Sequence, residues 1–175
     1  MGYTGGRSQN PTYQDIGDHT ESVQLDYDPT QTSYAQLLRV FWATPNSCAV
    51  SGSRQYMSAV FYHNETQKKL ALESRHRESA AKGVPVTTEI LPAGMFYLAE
   101  DYHQKYLLRD ETTLNREFQA MYPDAKDFMN STAAARVNGY LAGHGTEAMI
   151  QSEIDRLGLS PEAKQTLLHL WKHAR

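Results

Sequence analysis

The sequence predicts an α+β or α/β sandwich, because short strand patterns alternate with amphipathic helical patterns. Apolar and polar residues alternate from about Thr20 to Tyr27, and two further strand-like runs span 55–62 and 86–91. Helical patterns over 33–43 and over 64–82 separate these runs. Strands that are separated by helices in this way pack their apolar faces against a helical layer.

Most predicted elements start or stop at a residue with a capping or breaking role. Asp28-Pro29 stops the first strand, and Thr32 or Ser33 caps the helix that follows. The next helix is capped near Asn64 and ends at Gly83, a residue that suits the left-handed conformation found after many helices. These signals fix the order of the elements along the N-terminal half.

The C-terminal half reads as mostly helical. Helices are predicted over about 98–109 and 112–121, and the stretch 124–145 reads as looser because it holds three glycines. Two last helices are predicted over about 146–157 and 161–173, the second with a proline at its first position. The length of 175 residues suits a single domain over 1–175, with its core in 2–109 and a helical extension over 110–175.

Composition excludes several classes of protein. The net charge of −3 and the absence of a Lys/Arg cluster give no support for nucleic-acid or anionic-membrane partners. No apolar run approaches the roughly 18 residues that span a bilayer. The N-terminus has no apolar core of a secretory signal, so we expect a cytoplasmic protein.

Cys48 is the one cysteine, which excludes an intramolecular disulfide and a Cys-rich zinc site. A single thiol fits a reducing compartment. Cys48 follows Pro45-Asn46-Ser47 in a predicted loop, and nothing in the sequence supplies a base or a helix N-terminus that would activate it.

Glu21 is the clearest chemical signal that the strand pattern itself gives. It shares the parity of Val23, Leu25 and Tyr27, so a strand of period two would turn its carboxyl toward the apolar face. A carboxyl in an apolar site can act as an acid near neutral pH. The alternative is that Glu21 lies at the frayed start of the strand and reaches solvent.

Two dense motif blocks carry a family resemblance. They are Gly2-Tyr3-Thr4-Gly5-Gly6, Asn10-Pro11-Thr12-Tyr13, His19-Thr20-Glu21 and Tyr27-Asp28-Pro29 in the first block, and Ala99-Glu100-Asp101-Tyr102-His103-Gln104-Lys105-Tyr106 in the second. Together they resemble the A-type peptide methionine sulfoxide reductases, which reduce the S epimer of methionine sulfoxide. The resemblance covers residues 2–109 strongly and the tail more weakly.

The resemblance implies roles for five residues. Glu21 stands where the family has the acid that protonates the sulfoxide oxygen, and Tyr13 and Tyr56 stand where phenols bind that oxygen. His103 and Tyr106 match the segment that lines the substrate side of the cleft, and their spacing predicts one helical face. One acid and two phenols can polarise the S–O bond before a thiolate or selenolate attacks the sulfur.

The family's nucleophile segment, Gly-Cys-Phe-Trp with either cysteine or selenocysteine, has no counterpart in these 175 residues. Cys48 does not match it, although it could serve as a resolving thiol. In the family this segment precedes the Gly-Tyr-Thr-Gly-Gly motif and supplies a central strand and a helix. The resemblance therefore implies a two-layer α+β sandwich with a mixed sheet and flanking helices, whose ferredoxin-like core lacks its first strand and helix. A truncated selenoprotein, whose selenocysteine codon was read as a stop, is the hypothesis that follows.

The resemblance predicts a thiol- or selenol-dependent reductase of oxidised proteins and peptides, acting in protein repair under oxidative stress. It implies an external reductant such as thioredoxin or glutathione, and no metal or organic cofactor. Without a nucleophile the 175-residue chain is expected to be inactive. Two alternatives stay open: a non-catalytic module that binds methionine sulfoxide through Glu21, Tyr13 and Tyr56, and a partner subunit that completes its sheet with another chain.

Overall fold

The α+β class predicted from the sequence is confirmed in a computed structural model that describes residues 1–43 and 51–174. Residue contacts divide the described chain into two compact units, Met1–Ala99 and a second unit from Glu100 onward. The strands lie in the first unit, and the second is built from helices. The boundary falls inside the second motif block, and the single domain over 1–175 stays a prediction.

Five short strands form two sheets in the described part of the first unit. In chain order they are Gly2–Thr4 (β1), Thr20–Ser22 (β2), Ala59–Tyr62 (β3), Glu89–Pro92 (β4) and Tyr97–Leu98 (β5). β1 pairs antiparallel with β2 on one side and with β5 on the other, whereas β3 and β4 form a parallel pair. Instead of the single mixed sheet that was predicted, the described residues form a separate antiparallel sheet and a parallel pair.

Pairing between residues far apart in sequence explains two differences from the predicted elements. β1 and β5 lie where the sequence predicted a loop and a helix, and they pair Gly2 with Leu98. β2 ends at Ser22 instead of Tyr27, and Val23 and Leu25 are 62% and 61% exposed. A strand needs a partner for its backbone groups, and the three residues of β1 supply one only as far as Ser22.

The two predicted helices of the first unit are confirmed as Tyr34–Trp42 (α1) and Glu65–Lys82 (α2). The Ser33 side chain accepts from the amide of Gln36, and the Gln36 side chain accepts from the Ser33 amide at 2.7 Å, which closes a capping box on α1. Asn64 caps α2 by accepting from a backbone amide of its first turn. Gly83 ends α2 at φ 67°, a conformation that costs glycine no side-chain clash.

The strand predicted over 55–62 is wrong in its first half. Arg54–Tyr56 forms a 3₁₀ turn, and β3 begins only at Ala59. The hydroxyl of Ser53 accepts from the amide of Gln55 at 3.2 Å, and this contact starts the turn. Tyr56 therefore ends a turn instead of lying on a strand.

The described residues of the second unit form six helices around one apolar core. They are Tyr106–Asp110 (α3), Thr112–Met121 (α4), Ala125–Asn130 (α5), Thr132–Leu141 (α6), Glu147–Glu153 (α7) and Pro161–His173 (α8). Leu108, Phe118, Phe128, Leu167 and Trp171 are buried at its centre. Burial of each large apolar side chain contributes about 1.5–3 kcal/mol before the cost of ordering it.

The looser stretch predicted over 124–145 is wrong, because α5 and α6 occupy most of it. Side chains that cap helices outweigh the glycines there. The Asp124 carboxylate accepts from two amides at the start of α5, and the Ser131 hydroxyl accepts from the amide of Ala134 at the start of α6.

No helix in the described parts of the chain is long and apolar enough to cross a membrane.

Glu117 of α4 fastens the start of α8. Its carboxylate accepts from the Ser160 amide at 2.9 Å and from the Ser160 hydroxyl, while Ser160 itself caps α8. The hydroxyl and then the amide of Ser160 lower the pKa of Glu117 below its ordinary value of 4.5. The folded pKa lies below the unfolded one, so this stabilisation is complete above the unfolded pKa and disappears as the pH falls through the folded pKa.

Glu117→Gln is therefore expected to destabilise the chain by about 1 kcal/mol at neutral pH, since a charge-assisted hydrogen bond at a partly exposed site is weakened by solvent. The difference from wild type should shrink as the medium is made acidic. Urea denaturation followed by circular dichroism measures it, with the exposed Glu147→Gln as control. Equal losses for both variants, or a loss independent of pH, would contradict the assignment.

Candidate functional site

The loop between β1 and β2 is closed by the Asp18 carboxylate. It accepts hydrogen bonds from the amide of Arg7 at 2.8 Å and from the amide and hydroxyl of Ser8 at 3.0 and 2.8 Å. The Ser8 amide and then the Arg7 amide hold the pKa of Asp18 far below its usual range. Asp18 stays ionised under physiological conditions and keeps the two ends of the loop together.

His19 is buried beneath this loop and links two of its backbone segments. Its Nδ1 accepts from the amide of Gly6 at 3.2 Å, so Nε2 carries the proton of the neutral ring and donates to the carbonyl of Ser8 at 2.8 Å. The ring also packs edge-on against Tyr97 of β5, with 5.4 Å between centroids. Only 1% of His19 is exposed, and this burial fixes the orientation of the residues that follow it.

Arg54 joins the same loop to the 3₁₀ turn that carries Tyr56. Its guanidinium donates to the carbonyl of Asp18 at 2.7 Å and to that of Gly5 at 3.0 Å. Its own carbonyl accepts from the hydroxyl of Thr20 on β2 at 3.1 Å. One residue therefore sets the loop, β2 and the turn relative to one another.

Three of the predicted site residues come together in the first unit. Tyr13 lies in a tight turn that is closed by hydrogen bonds between Thr12 and Asp15. Its phenol is hydrogen-bonded to the phenol of Tyr56, and the Glu21 carboxyl is close enough to act on Tyr56 by its charge. Tyr13 and Tyr56 are 40% and 58% exposed, so a ligand in solution can reach both hydroxyls.

The surroundings of Tyr56 favour its protonated form, which already predominates at neutral pH. The hydrogen bond with Tyr13 is the largest cause that raises the pKa of Tyr56, followed by burial and by electrostatic interactions with Tyr13 and Glu21, while the Gln55 side chain opposes the shift. A protonated phenol is a hydrogen-bond donor, which is the form that an acceptor oxygen needs.

Glu21 is positioned by β2, but its surroundings differ from the apolar face that the strand pattern predicted. It lies opposite the buried Tyr3 of β1 and is itself half-buried, whereas Val23 and Leu25 lie outside the strand and are exposed. Its Oε1 accepts from the Gln55 amide at 2.7 Å. The carboxyl is therefore in a partly polar setting at the rim of the first unit's sheet.

Sequence reasoning missed the supporting residues Asp18, His19, Arg54 and Gln55. Asp18 and His19 stand beside or inside the first motif block, and Arg54 and Gln55 directly precede Tyr56, so proximity to a predicted site residue or motif was an available signal. Their hydrogen bonds, however, join positions up to 49 residues apart, such as Arg54 and Gly5. No local pattern reports contacts of that range.

His103 and Tyr106 lie in the second unit, and the helix predicted over 98–109 is interrupted between them. His103 ends a 3₁₀ turn, α3 starts at Tyr106, and Lys105 between them has a φ of 54°. The prediction that they share one helical face is therefore wrong, because a left-handed residue breaks the helix. The His103 ring is 3.8 Å from the Glu100 carboxylate, and Tyr106 is exposed. Their contact with substrate stays a prediction.

An open groove of about 430 Å³ lies between the two sheets of the first unit. It is lined by Glu21 and the segment after it, by α1, by residues 59–61 of β3 and by the connection from β4 to β5. Among the described strands β3 pairs with β4 alone, so its second edge has no strand beside it.

Tyr34 lines the groove, and its hydroxyl is buried without a hydrogen-bond partner among the described residues. Burial, followed by the electrostatic interaction with Tyr27, raises the pKa of Tyr34. The groove therefore combines apolar walls, a free strand edge, an unsatisfied hydroxyl and the Glu21 carboxyl.

Cys48 lies outside the described residues, so its role as a resolving thiol stays a prediction. In the ranges 1–43 and 51–174, no three His, Cys, Asp or Glu side chains cluster as a metal site would require.

An acid beside two phenol donors defines a site that can bind and protonate a polar acceptor oxygen. The family model described as peptide methionine sulfoxide reductase matches residues 1–136. The chain belongs to the peptide methionine sulfoxide reductase family.

Curated relatives support the assignment across distant organisms. A peptide methionine sulfoxide reductase of Drosophila melanogaster is 39% identical over 94% of this chain and 67% of its own length. Peptide methionine sulfoxide reductase A5 of Oryza sativa subsp. japonica is 36% identical over 90% of this chain and 65% of its own length. MsrA of Methanosarcina acetivorans is 43% identical over 61% of this chain and 62% of its own length. The chain thus spans about two thirds or less of the length of these relatives.

Replacing Tyr13 tests the contact between the two phenols. Tyr13→Phe removes the hydrogen bond that raises the pKa of Tyr56 most, so this pKa should fall toward its ordinary value of 10.0. Carbon-13 NMR of labelled tyrosines resolves the individual titrations. Tyr62→Phe, on β3 of the same unit, serves as control and should leave Tyr56 unchanged. An unaltered Tyr56 titration in Tyr13→Phe would mean that the phenols do not meet in solution.

Proposed function

We propose that the first unit supplies the acid and the oxygen-binding groups of a reductase site for the S epimer of methionine sulfoxide. The observation that carries the proposal is the meeting of Glu21, Tyr13 and Tyr56 at one accessible point. The two phenols donate hydrogen bonds to the sulfoxide oxygen, and Glu21 supplies the proton. Three groups on different elements can distinguish the two epimers, because inversion at sulfur moves the oxygen away from them.

The reaction proposed for this site transfers the sulfoxide oxygen to a thiol or selenol. Protonation of that oxygen by Glu21 makes the sulfur electrophilic, and the thiolate or selenolate attacks the sulfur and forms a bond to it. The protonated oxygen then passes to the attacking sulfur or selenium atom, while the S–O bond to the methionine sulfur and the newly formed bond both break. The products are methionine and a sulfenic or selenenic acid. Two further thiols, from thioredoxin or glutathione, then restore the nucleophile and release a disulfide and water.

We further propose that the nucleophile comes from a Gly-Cys-Phe-Trp type of segment, with cysteine or selenocysteine, that lies outside these 175 residues and occupies the groove. Three features of the groove support this occupant. The free edge of β3 can pair with one extended strand, the apolar walls can cover its side chains, and the Tyr34 hydroxyl can donate to its backbone. Glu21 lines the same groove, so a thiol carried there would approach the acid.

The substrates proposed are oxidised methionines in proteins and peptides, which makes the activity one of protein repair under oxidative stress. The exposure of Tyr13 and Tyr56 supports a substrate that is part of a larger chain, since such a chain could approach from solvent. The cytoplasm, where thiols are kept reduced, is the compartment that suits this chemistry.

A second candidate is a module that binds methionine sulfoxide without reducing it. The network of Asp18, His19 and Arg54 favours it, because these residues tie together the loop and the turn that carry the site groups, with contacts among described residues of the first unit. Binding would then occur without any added segment.

The oxygen-binding part of the proposal predicts stereospecific binding. N-acetyl-methionine (S)-sulfoxide amide should bind the 175-residue chain, and the R epimer and the unoxidised amide should bind more weakly. Tyr56→Phe and Glu21→Gln should each weaken binding of the S epimer by about threefold to tenfold, the worth of one hydrogen bond.

Titration calorimetry or NMR shift mapping measures these affinities, and Tyr62→Phe is the matched control. Binding of both epimers with equal affinity would contradict the proposed site. An affinity that is unchanged in Tyr56→Phe and in Glu21→Gln would contradict it as well.

Addition of the nucleophile segment is predicted to give the chain methionine sulfoxide reductase activity. The 175-residue chain alone should not produce methionine from the S-sulfoxide with dithiothreitol as reductant. The same chain fused behind a strand and helix that contain Gly-Cys-Phe-Trp should reduce it. Glu21→Gln in the fusion should lower the rate by roughly 10²–10⁴-fold, the usual contribution of a general acid.

The control is a fusion in which the added cysteine is replaced by serine, which should be inactive. Turnover by the unmodified chain would overturn the proposed origin of the nucleophile. An inactive fusion that still binds the S-sulfoxide would favour the binding module.

A further inference from the structure

Gln55 stands between the acid and one of the phenols. Its Nε2 donates to Oε1 of Glu21 at 2.7 Å, and its side chain also acts on the Tyr56 phenol. Gln55 is half-buried and is fixed at the start of its turn by the Ser53 hydroxyl.

A carboxyl group that acts as an acid must present its proton to the substrate, and this requires control over which oxygen carries it. An N–H donor aimed at one carboxyl oxygen repels a proton on that same oxygen. The Gln55 amide therefore disfavours protonation of Oε1 of Glu21 and leaves Oε2 as the oxygen that carries the proton. The amide can donate to Oε1 whether Glu21 is neutral or ionised.

We propose that Gln55 is a positioning residue that confines the transferable proton of Glu21 to Oε2 and holds the carboxyl in one orientation through the reaction. The inference rests on the proposed function, in which Glu21 protonates the sulfoxide oxygen. During that step the Oε2–H bond of Glu21 breaks and an O–H bond forms on the substrate. The electron pair of the broken bond stays on the carboxylate, whose Oε1 keeps its hydrogen bond to Gln55.

The free chain offers a direct test by NMR of the Gln55 side-chain amide. One of its two protons should be shifted downfield by the contact with Glu21, and this shift should persist when the medium is acidified enough to protonate Glu21. Glu21→Ala should abolish it. The exposed Gln31 is the internal control, and its amide protons should not respond. Loss of the Gln55 shift on acidification would mean that the amide turns to accept a proton from Glu21, which overturns the inference.

A double-mutant cycle tests the same role in ligand binding. Gln55→Met, which keeps the length of the side chain and removes the donor, should weaken binding of N-acetyl-methionine (S)-sulfoxide amide by roughly tenfold. In a Glu21→Ala background the same change should have a clearly smaller effect, because only the contact of Gln55 with Tyr56 remains. A merely structural role would weaken binding equally in both backgrounds, and that result would overturn the inference.

The outcomes separate this inference from the proposed function. If the wild type binds the S-sulfoxide and Gln55→Met binds it equally well, the role of Gln55 is wrong and the proposed function stands. If the wild type does not bind it, the proposed function fails, and the NMR arm still decides whether Gln55 holds Oε1 of Glu21. Should Gln55→Met fail to fold, as circular dichroism would show, the NMR measurement on the wild type remains decisive.

Discussion

The hydrogen bonds of the Arg54 guanidinium are the constraint on which the site depends. The loop that carries Tyr13 has no regular secondary structure, so side chains must hold its shape. Arg54 binds two carbonyls of that loop and also begins the turn that ends at Tyr56. The same contacts therefore fix the loop and the separation of the two phenols. Asp18 and the buried His19 close the loop from within, and they make the position of Arg54's two acceptors well defined.

The chemistry follows from which groups in this frame carry charge. Asp18 is ionised, and its carboxylate accepts from two backbone amides and the Ser8 hydroxyl, so its charge stabilises the loop. Tyr56 is a neutral phenol, and the hydrogen bond with Tyr13 raises its pKa further. A ligand oxygen at this point meets phenol donors and the Glu21 carboxyl. Covering the neighbouring groove would exclude water and strengthen each of these interactions, because electrostatic effects grow as the local dielectric falls.

The parts of the fold that sequence alone could predict are those with local signals. The caps at Ser33 and Asn64 fixed α1 and α2 because a cap acts within three residues. β1 was missed because its residues pair with β2 and with a strand more than ninety positions away. For the site, motif resemblance pointed to Tyr13, Glu21 and Tyr56, which do meet, but the support from Gln55 and Arg54 is long-range and leaves no local pattern. The left-handed backbone of Lys105 also could not be predicted, because the sequence around it has a helical pattern.

The most direct test of the account is a crystal structure of the chain with methionine (S)-sulfoxide bound. We predict that the sulfoxide oxygen lies within hydrogen-bonding distance of the Tyr13 and Tyr56 hydroxyls and of one oxygen of Glu21. A ligand whose oxygen points to solvent, or that binds away from these three side chains, would contradict it.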